Sequence, residues 1–303
     1  MINYLTHQEI DLMKWDSVVC SSQYPLVFAQ SFYLNATFPN WDALVFGDYE
    51  CVFPVTKKTK FGISYLHQPP FTSQLGLYGK FTIDTEKEIL DYLLKHYKLI
   101  EIELNASNKL ASDNRGLKRT FIINYKNEIK QNKNTKRNIA KALELGFTIE
   151  RIADNEIIKL STKYINPFLS QSVNLTDSSI YLFNELLKSS INAKTLFSFK
   201  ALDTQKNIKA IAHFISNGKH ALYLKGLNFD KSENSGSMHL VMNSAIEFFR
   251  DKVEIFDFGG GSKESLANFY KGFGGEEFNY NTLKVNNLPW IIKVGITLKK
   301  YLK

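Results

Sequence analysis

Apolar positions along this chain switch repeatedly between a helical spacing and a strand spacing. In TEKEILDYLLKHYK (85–98), Ile89, Tyr92, Leu93 and His96/Tyr97 fall on one face, which predicts a helix. IEIEL (100–104) alternates apolar and acidic residues and predicts a strand, and TFIINY (120–125) predicts another. Further upstream, residues 5–20 read as a helix with Ile10, Leu12 and Met13 inward. WDALVFGDYECVFPV (41–55) is two apolar runs broken at Gly47-Asp48, the pattern of a hairpin. Lys57, Lys58 and Lys60 mark a polar turn, and Pro69-Pro70 forbids regular structure locally. NTKRNIAKALELG (134–146) predicts a basic helix capped by Asn134 or Thr135, with Ile139, Ala142 and Leu143 inward and Gly146 at its end.

FTIERI (147–152), a strand, closes the first half, and the second half, similar in order, begins with helices over 155–169 and 177–190. TLFSFKAL, IKAIAHFIS and HALYLKGLN are strands, the last two joined by an Asn217-Gly218 turn. A helix over 236–251, the strand VEIFDF, a short helix over 264–271 and the strand FNYNTLKV close the chain's ordered pattern. Helices alternating with antiparallel strands predict an α+β fold, and the two similar halves predict two domains, 1–152 and 153–303.

Composition fits a packed globular chain: 303 residues, 44% hydrophobic, with 23 Phe and 15 Tyr. The net charge of +8 favours polyanionic partners such as nucleic acid, phosphorylated substrates or an acidic lipid surface. Two cysteines, Cys20 and Cys51, form no motif and point to a reducing compartment. The N-terminal residues carry acids and no apolar segment, which argues against a signal peptide, and a cytoplasmic location is expected. No HExxH, paired-cysteine, GxxxxGK[ST] or GxSxG motif is present, so metal catalysis and serine or cysteine nucleophiles have no support. His213 lies in an apolar strand and reads as a core residue.

The chemistry concentrates in FDFGGGSKESLANFYKGFGG (256–275). Gly259-Gly260-Gly261 follows a strand and precedes a helix, where backbone N–H groups can face an anion or simply make a tight turn. Tyr270 is either a proton donor to a departing oxyanion or thiolate, or a half-buried phenol with one partner. Asp257 either orients an amine or binds the backbone of the glycine turn. The helix bearing Lys133, Lys136, Arg137 and Lys141 is either a phosphate-holding face or a solvated one. LPWIIKVGITLKKYLK (288–303) sets Trp290, Ile291, Val294 and Leu298 on one side among four lysines, the pattern of a helix that meets a membrane surface or docks on its own protein.

That stretch resembles the end of the second domain of FemABX-type aminoacyltransferases, which read Tyr-Asp-Phe-x-Gly and then Phe-Lys-x-Gly-Phe-Gly. FAQS (28–31), the hairpin at 41–55, YLHQPPF (65–71) and the helix at 134–146 resemble further elements of that family in the same order, over nearly the whole chain. ANFYKGFG also resembles the GNAT segment in which a Tyr protonates the thiolate of coenzyme A. The resemblance implies two tandem GNAT-like (acyl-CoA N-acyltransferase) domains and acyl or aminoacyl transfer to an amine, with a cell-envelope precursor as one acceptor class. It implies aminoacyl-tRNA or acyl-coenzyme A as donor substrate and no covalently bound cofactor. It assigns Tyr270 and Asp257 to the chemistry, Lys271, Lys136 and Arg137 to anionic substrate, Gly259 and Gly260 to the turn facing it, and Gln68 and Phe71 to the rim of a groove. Two features depart from the family: Phe269-Tyr270 stands where Phe-Lys is expected, with the lysine moved to Lys271, and ENSGSMHL (233–240) offers Gly236 alone where a pyrophosphate loop is expected. A non-catalytic module of the same fold, holding RNA or an anionic membrane, is the alternative these departures raise.

Overall fold

A computed structural model describes residues 2–60, 62–109, 115–229 and 235–290. In chain order the elements are β1 (Ile2–Leu5), α1 (Leu12–Ser21), α2 (Ser31–Thr37), β2 (Asp42–Phe46), β3 (Cys51–Val55), β4 (Lys57–Lys60), β5 (Ile63–His67), β6 (Tyr78–Gly79), α3 (Ile83–His96), β7 (Leu99–Glu103) and β8 (Arg115–Asn124). There follow α4 (Lys133–Glu144), β9 (Thr148–Arg151), α5 (Asp154–Leu160), a π-helical turn (Ser161–Ile165), α6 (Asn166–Val173), α7 (Asp177–Asn192), β10 (Leu196–Leu202), β11 (Ile208–Ser216), β12 (His220–Asn228), α8 (Ser237–Phe249), β13 (Ile255–Asp257), α9 (Glu264–Gly272) and β14 (Glu276–Asn286). The basic C-terminal helix expected over 288–303 falls, from residue 291 onward, outside the described residues.

The chain parts into two compact units, but not at residue 152. One unit holds residues 1–24, 40–118 and 280–303; the other holds 25–39 and 119–279. The contiguous division read from the sequence therefore differs from the observed one, because the basic helix α4 and strand β9 pack into the second unit. There α4 lies against α8, and β9 pairs with β10 through Phe199↔Arg151 to Leu202↔Thr148.

In the first unit, β1, β2, β3 and β6 form one antiparallel sheet, and β4 and β5 pair as a hairpin whose second strand runs parallel to β7. Its core gathers Phe53, Leu66, Ile89, Leu93, Ile100 and Leu283. Thr82 caps α3 by accepting the Thr85 N–H, as its place before the periodic run dictates. Several sequence expectations change here. Residues Ile2–Leu5 pair with β2 as a strand, and the helix starts only at Leu12, where Asp11 accepts the Met13 and Lys14 N–H groups. Met13 is 87% exposed, while Trp15 and Val19 face the core. The lysines at 57–60 lie on an exposed strand, not a turn.

In the second unit the sheet order is β8-β13-β12-β11-β10-β9. All neighbours are antiparallel except β12 and β13. The β11–β12 turn closes as its Asn-Gly predicts: Gly218 sits at φ +84°, and Asn217 accepts the Lys219 and His220 N–H groups at 3.0 and 2.8 Å. The core is ring-rich, built on Phe121, Phe199, Phe214, Phe249, Phe256, Phe258 and Tyr270. Each such ring contributes roughly 1.5–3 kcal/mol on burial. On α4, Asn132 is the cap and accepts the Thr135 N–H at 2.8 Å. Ala142 is buried, but Leu143 is 57% exposed, one position off the inward stripe.

Candidate active site

The parallel pair β12–β13 is the geometric origin of the site. It is registered at His220↔Ile255, Ala221↔Phe256 and Leu222↔Asp257, and no further. β12 runs on to Asn228, while the other chain leaves the sheet at the glycine turn, so the two strands separate beyond Leu222. The turn requires glycine at 259: φ is +71°, and a Cβ there would lie 2.7 Å from the Tyr223 carbonyl oxygen. Into the opening come Tyr223, Gly226 and Asn228 of β12, Gly236, Met238 and His239 at the start of α8, and Ser265, Leu266, Phe269 and Tyr270 of α9, around a cavity of about 370 Å³.

Asp257 and Thr120 lock the turn from below. The Asp257 carboxylate is 3% exposed and accepts the Thr120 hydroxyl at 2.5 Å and the Gly259 N–H at 2.8 Å. The same Thr120 hydroxyl accepts the Gly260 N–H at 3.0 Å. These N–H groups are consumed inside the protein, so Gly259 and Gly260 offer no anion cradle, and Asp257 binds the turn rather than an amine. Burial raises the Asp257 carboxyl to about 6, against the two hydrogen bonds that favour its charged form. Arg119 holds the first turn of α9: it donates to Glu264 at 2.8 Å, to Glu277 at 3.0 Å and to the Gly261 carbonyl at 3.2 Å.

Tyr270 is fixed by rings. It stacks on Phe258 with centroids 4.6 Å apart and meets Phe121 at 6.1 Å and Tyr223 edge-on at 6.4 Å. Only 5% of it is exposed, yet it lines the cavity, and among the described residues no protein group hydrogen-bonds its hydroxyl. Burial, and secondarily the charge of Asp257, push the phenol up to about 12. Tyr223 is raised as well, by burial and then by Tyr270. His239 packs edge-on against Phe269 at 4.9 Å, and burial lowers its pKa, so the ring is neutral near pH 7. Two further glycines have local causes. A Cβ on Gly272 would lie 2.4 Å from the Thr135 hydroxyl of α4, and one on Gly236, at φ +81°, would lie 2.0 Å from the Asn138 carbonyl oxygen.

The remaining predicted residues lie elsewhere. Lys271 is exposed on α9 with its ammonium 5.6 Å from the Phe121 ring centroid. Lys136 and Arg137 are exposed on α4, and Arg137 donates to Asn134 at 2.8 Å. None of the three lines the cavity. Gln68 and Phe71 belong to the first unit, which shows why its own parallel pair carries no such opening. There β5 and β7 are registered at Tyr65↔Leu99 to His67↔Glu101, but the chain then fills the gap itself. Gln68 donates its N–H to the Glu101 carbonyl at 3.2 Å, its side-chain oxygen accepts the Glu103 N–H at 3.0 Å, and its side-chain nitrogen donates to the Thr72 carbonyl at 3.1 Å. Leu75 N–H continues the plug to the Glu103 carbonyl at 2.7 Å. Gln68 is thus a plug and not a groove wall, and Phe71 holds the left-handed turn of that plug at φ +59°. Sequence reading missed Thr120, Tyr223 and His239, which stand in no motif and are joined only by the fold.

The fold is like that of FemX. The chain is similar to FemX over 92% of its length and 96% of that protein, with a TM-score of 0.64 and 11% identity. A Bacteroides thetaiotaomicron protein of unknown function aligns over 94% of this chain and all of its own (100%) at TM-score 0.63 and 10% identity. The C-terminal domain of an Agrobacterium fabrum protein assigned as a lysylphosphatidylglycerol synthetase aligns over 95% and 94% at TM-score 0.59 and 10% identity. No family model and no curated protein matches the chain by sequence.

Proposed function

We propose that the chain is an N-acyltransferase whose chemistry runs in the second unit, at the opening between β12 and β13. The observation that carries this reading is the Tyr270 hydroxyl, unpartnered at the wall of a cavity in a FemX-like fold. In acyl transfer a neutral amine attacks the acyl carbon, a tetrahedral oxyanion forms, and the leaving group departs with a proton. Tyr270 supplies that proton, the attacking nitrogen gives up one of its own, which restores the phenol directly or through water, and Tyr223 or the open edge of β12 offers a hydrogen bond to the oxyanion. Asp257, Thr120 and Arg119 do not touch substrate; they hold the turn and α9 so that the phenol stays in place.

The environment of Tyr270 favours an oxygen ester as donor, and aminoacyl-tRNA is the form we infer. A phenol raised to about 12 keeps its proton at neutral pH. A departing alkoxide, more basic than a thiolate of thiol pKa ~8.5, takes that proton more readily. The acyl-coenzyme A alternative is separated by incubating the protein with charged tRNA or with acetyl-coenzyme A and a set of amines, and following donor loss and acyl product by mass spectrometry. Acceptor-dependent deacylation of the tRNA supports the reading. Consumption of acetyl-coenzyme A alone moves the donor assignment to the thioester, and no product from either donor rejects the enzyme.

A further inference from the structure

A β-bulge in β12 gives the open edge two chemically different faces. Ala212↔Gly226 and His213↔Lys225 are followed by Phe214↔Tyr223, so Leu224 is the extra residue. The partners across the bulge face opposite ways: His213 meets Phe183 of α7 at 6.4 Å, and Phe214 meets Phe249 of α8 at 6.1 Å. Tyr223 therefore turns to the cavity with Tyr270, and Lys225 turns to the other face of the sheet. There its ammonium stands 5.7 Å from the Phe168 ring centroid of α6.

Lys225 is half-buried on a strand interior, and among the described residues no carboxylate pairs with it. Among the described residues the charge near enough to act on it is Lys263, a like charge at the end of the glycine turn. Burial and Lys263 both lower its pKa. A half-buried ammonium beside a second lysine, with no acid among the described residues, is costly, and the face of one ring offsets only part of that. Nearby, Lys163 lies over Tyr164 at 4.8 Å, and Tyr164 meets the exposed Phe229 edge-on at 5.1 Å, which adds apolar surface and a further cation to the same side.

We propose that Lys225, assisted by Lys263, binds an anionic group, a carboxylate or a phosphate, carried by the acyl acceptor. The acceptor then approaches β12 on the face opposite the Tyr270 cavity, and its amine reaches the acyl carbon across the unpaired edge. That the ligand is the acceptor rests on the acyl-transfer reading; that the site binds an anion does not.

Thermal unfolding of the full chain tests the site without any assay of activity. Wild type is compared with Lys225→Met and Lys225→Arg, each titrated with inorganic phosphate and, separately, with acetate. We expect Lys225→Met to unfold at or above the wild-type temperature without anion, because an uncompensated charge is gone. We expect a saturable rise in Tm with at least one anion in wild type and Lys225→Arg, and its loss in Lys225→Met. Response to phosphate but not acetate assigns a phosphorylated ligand, and the converse a carboxylate. An anion response that survives in Lys225→Met, or the lack of any response in wild type, overturns the proposal. If the anion response behaves as expected but no donor yields an acyl product, the anion site stands and the acyltransferase reading fails alone.

Discussion

Tyr270 and Asp257 sit at the two ends of what single residues in this sequence disclose. The motif around 256–275 marks both, yet only the fold separates their work: the phenol faces a cavity, and the carboxylate faces a turn. Thr120 was invisible because its role is a hydroxyl shared between Asp257 and Gly260, residues more than a hundred positions away. Thr120→Val keeps the shape and removes that hydroxyl, leaving a buried carboxylate with one partner fewer. A loss of roughly 1–3 kcal/mol is expected in denaturant unfolding, and no loss would detach Thr120 from the turn. Asp257 also gives stability a pH signature. Its folded pKa, about 6, lies above the ordinary 3.8, so the native state holds the proton more tightly and this group's contribution falls as pH rises from 4 to 6. Asp257→Asn lacks this dependence. Its unfolding free energy relative to wild type should improve between pH 4 and pH 6, by up to about 1.4 kcal/mol per pH unit, and a constant difference would contradict the burial argument.

At the scale of elements, strands were more legible than helix faces. Alternation located β7, where the pleat gives a period of about two, and apolar runs between turns located β10 and β11, which are buried on both faces. Helix faces slipped where a single position decides the stripe: Leu143 and Met13 point outward although their neighbours pack. The lysine strand β4 was unreadable, since an exposed strand of a two-stranded hairpin needs no apolar residue. The plug of Gln68 was equally hidden, because glutamine is chosen there for three hydrogen bonds that no periodicity records. Gly236 joins two elements, as the start of α8 against the backbone of α4. Gly236→Ala places a Cβ 2.0 Å from the Asn138 carbonyl at a φ of +81°, so it should cost about 1–3 kcal/mol by strain and disturb the cavity wall. An alanine variant with unchanged Tm would show that α4 and α8 can separate freely.

Across the whole molecule, two parallel strand pairs of similar register have different outcomes, one plugged by its own chain and one open. Sequence order announced the duplication but not the boundary, because residues 119–152 read as the tail of the first half while their partners, β13, β10, α8 and α9, come later in the chain. Sensitivity to acid follows from two buried histidines of the second unit. His213 and His220 are held near 4 by burial, well below 6.5. The unfolded chain therefore takes up protons first, and stability present above pH 6.5 drains as pH falls toward 4, by about 1.4 kcal/mol per pH unit for each ring. His213→Gln should flatten that slope in urea titrations at pH 7 and pH 5.

The claim on which the account turns is that Tyr270 delivers a proton to the leaving group. Single-turnover transfer from charged tRNA to an amine acceptor, wild type against Tyr270→Phe with matched far-UV circular dichroism, measures it directly. The account predicts a folded variant whose rate falls roughly tenfold or more, while equal rates in the two proteins would contradict it.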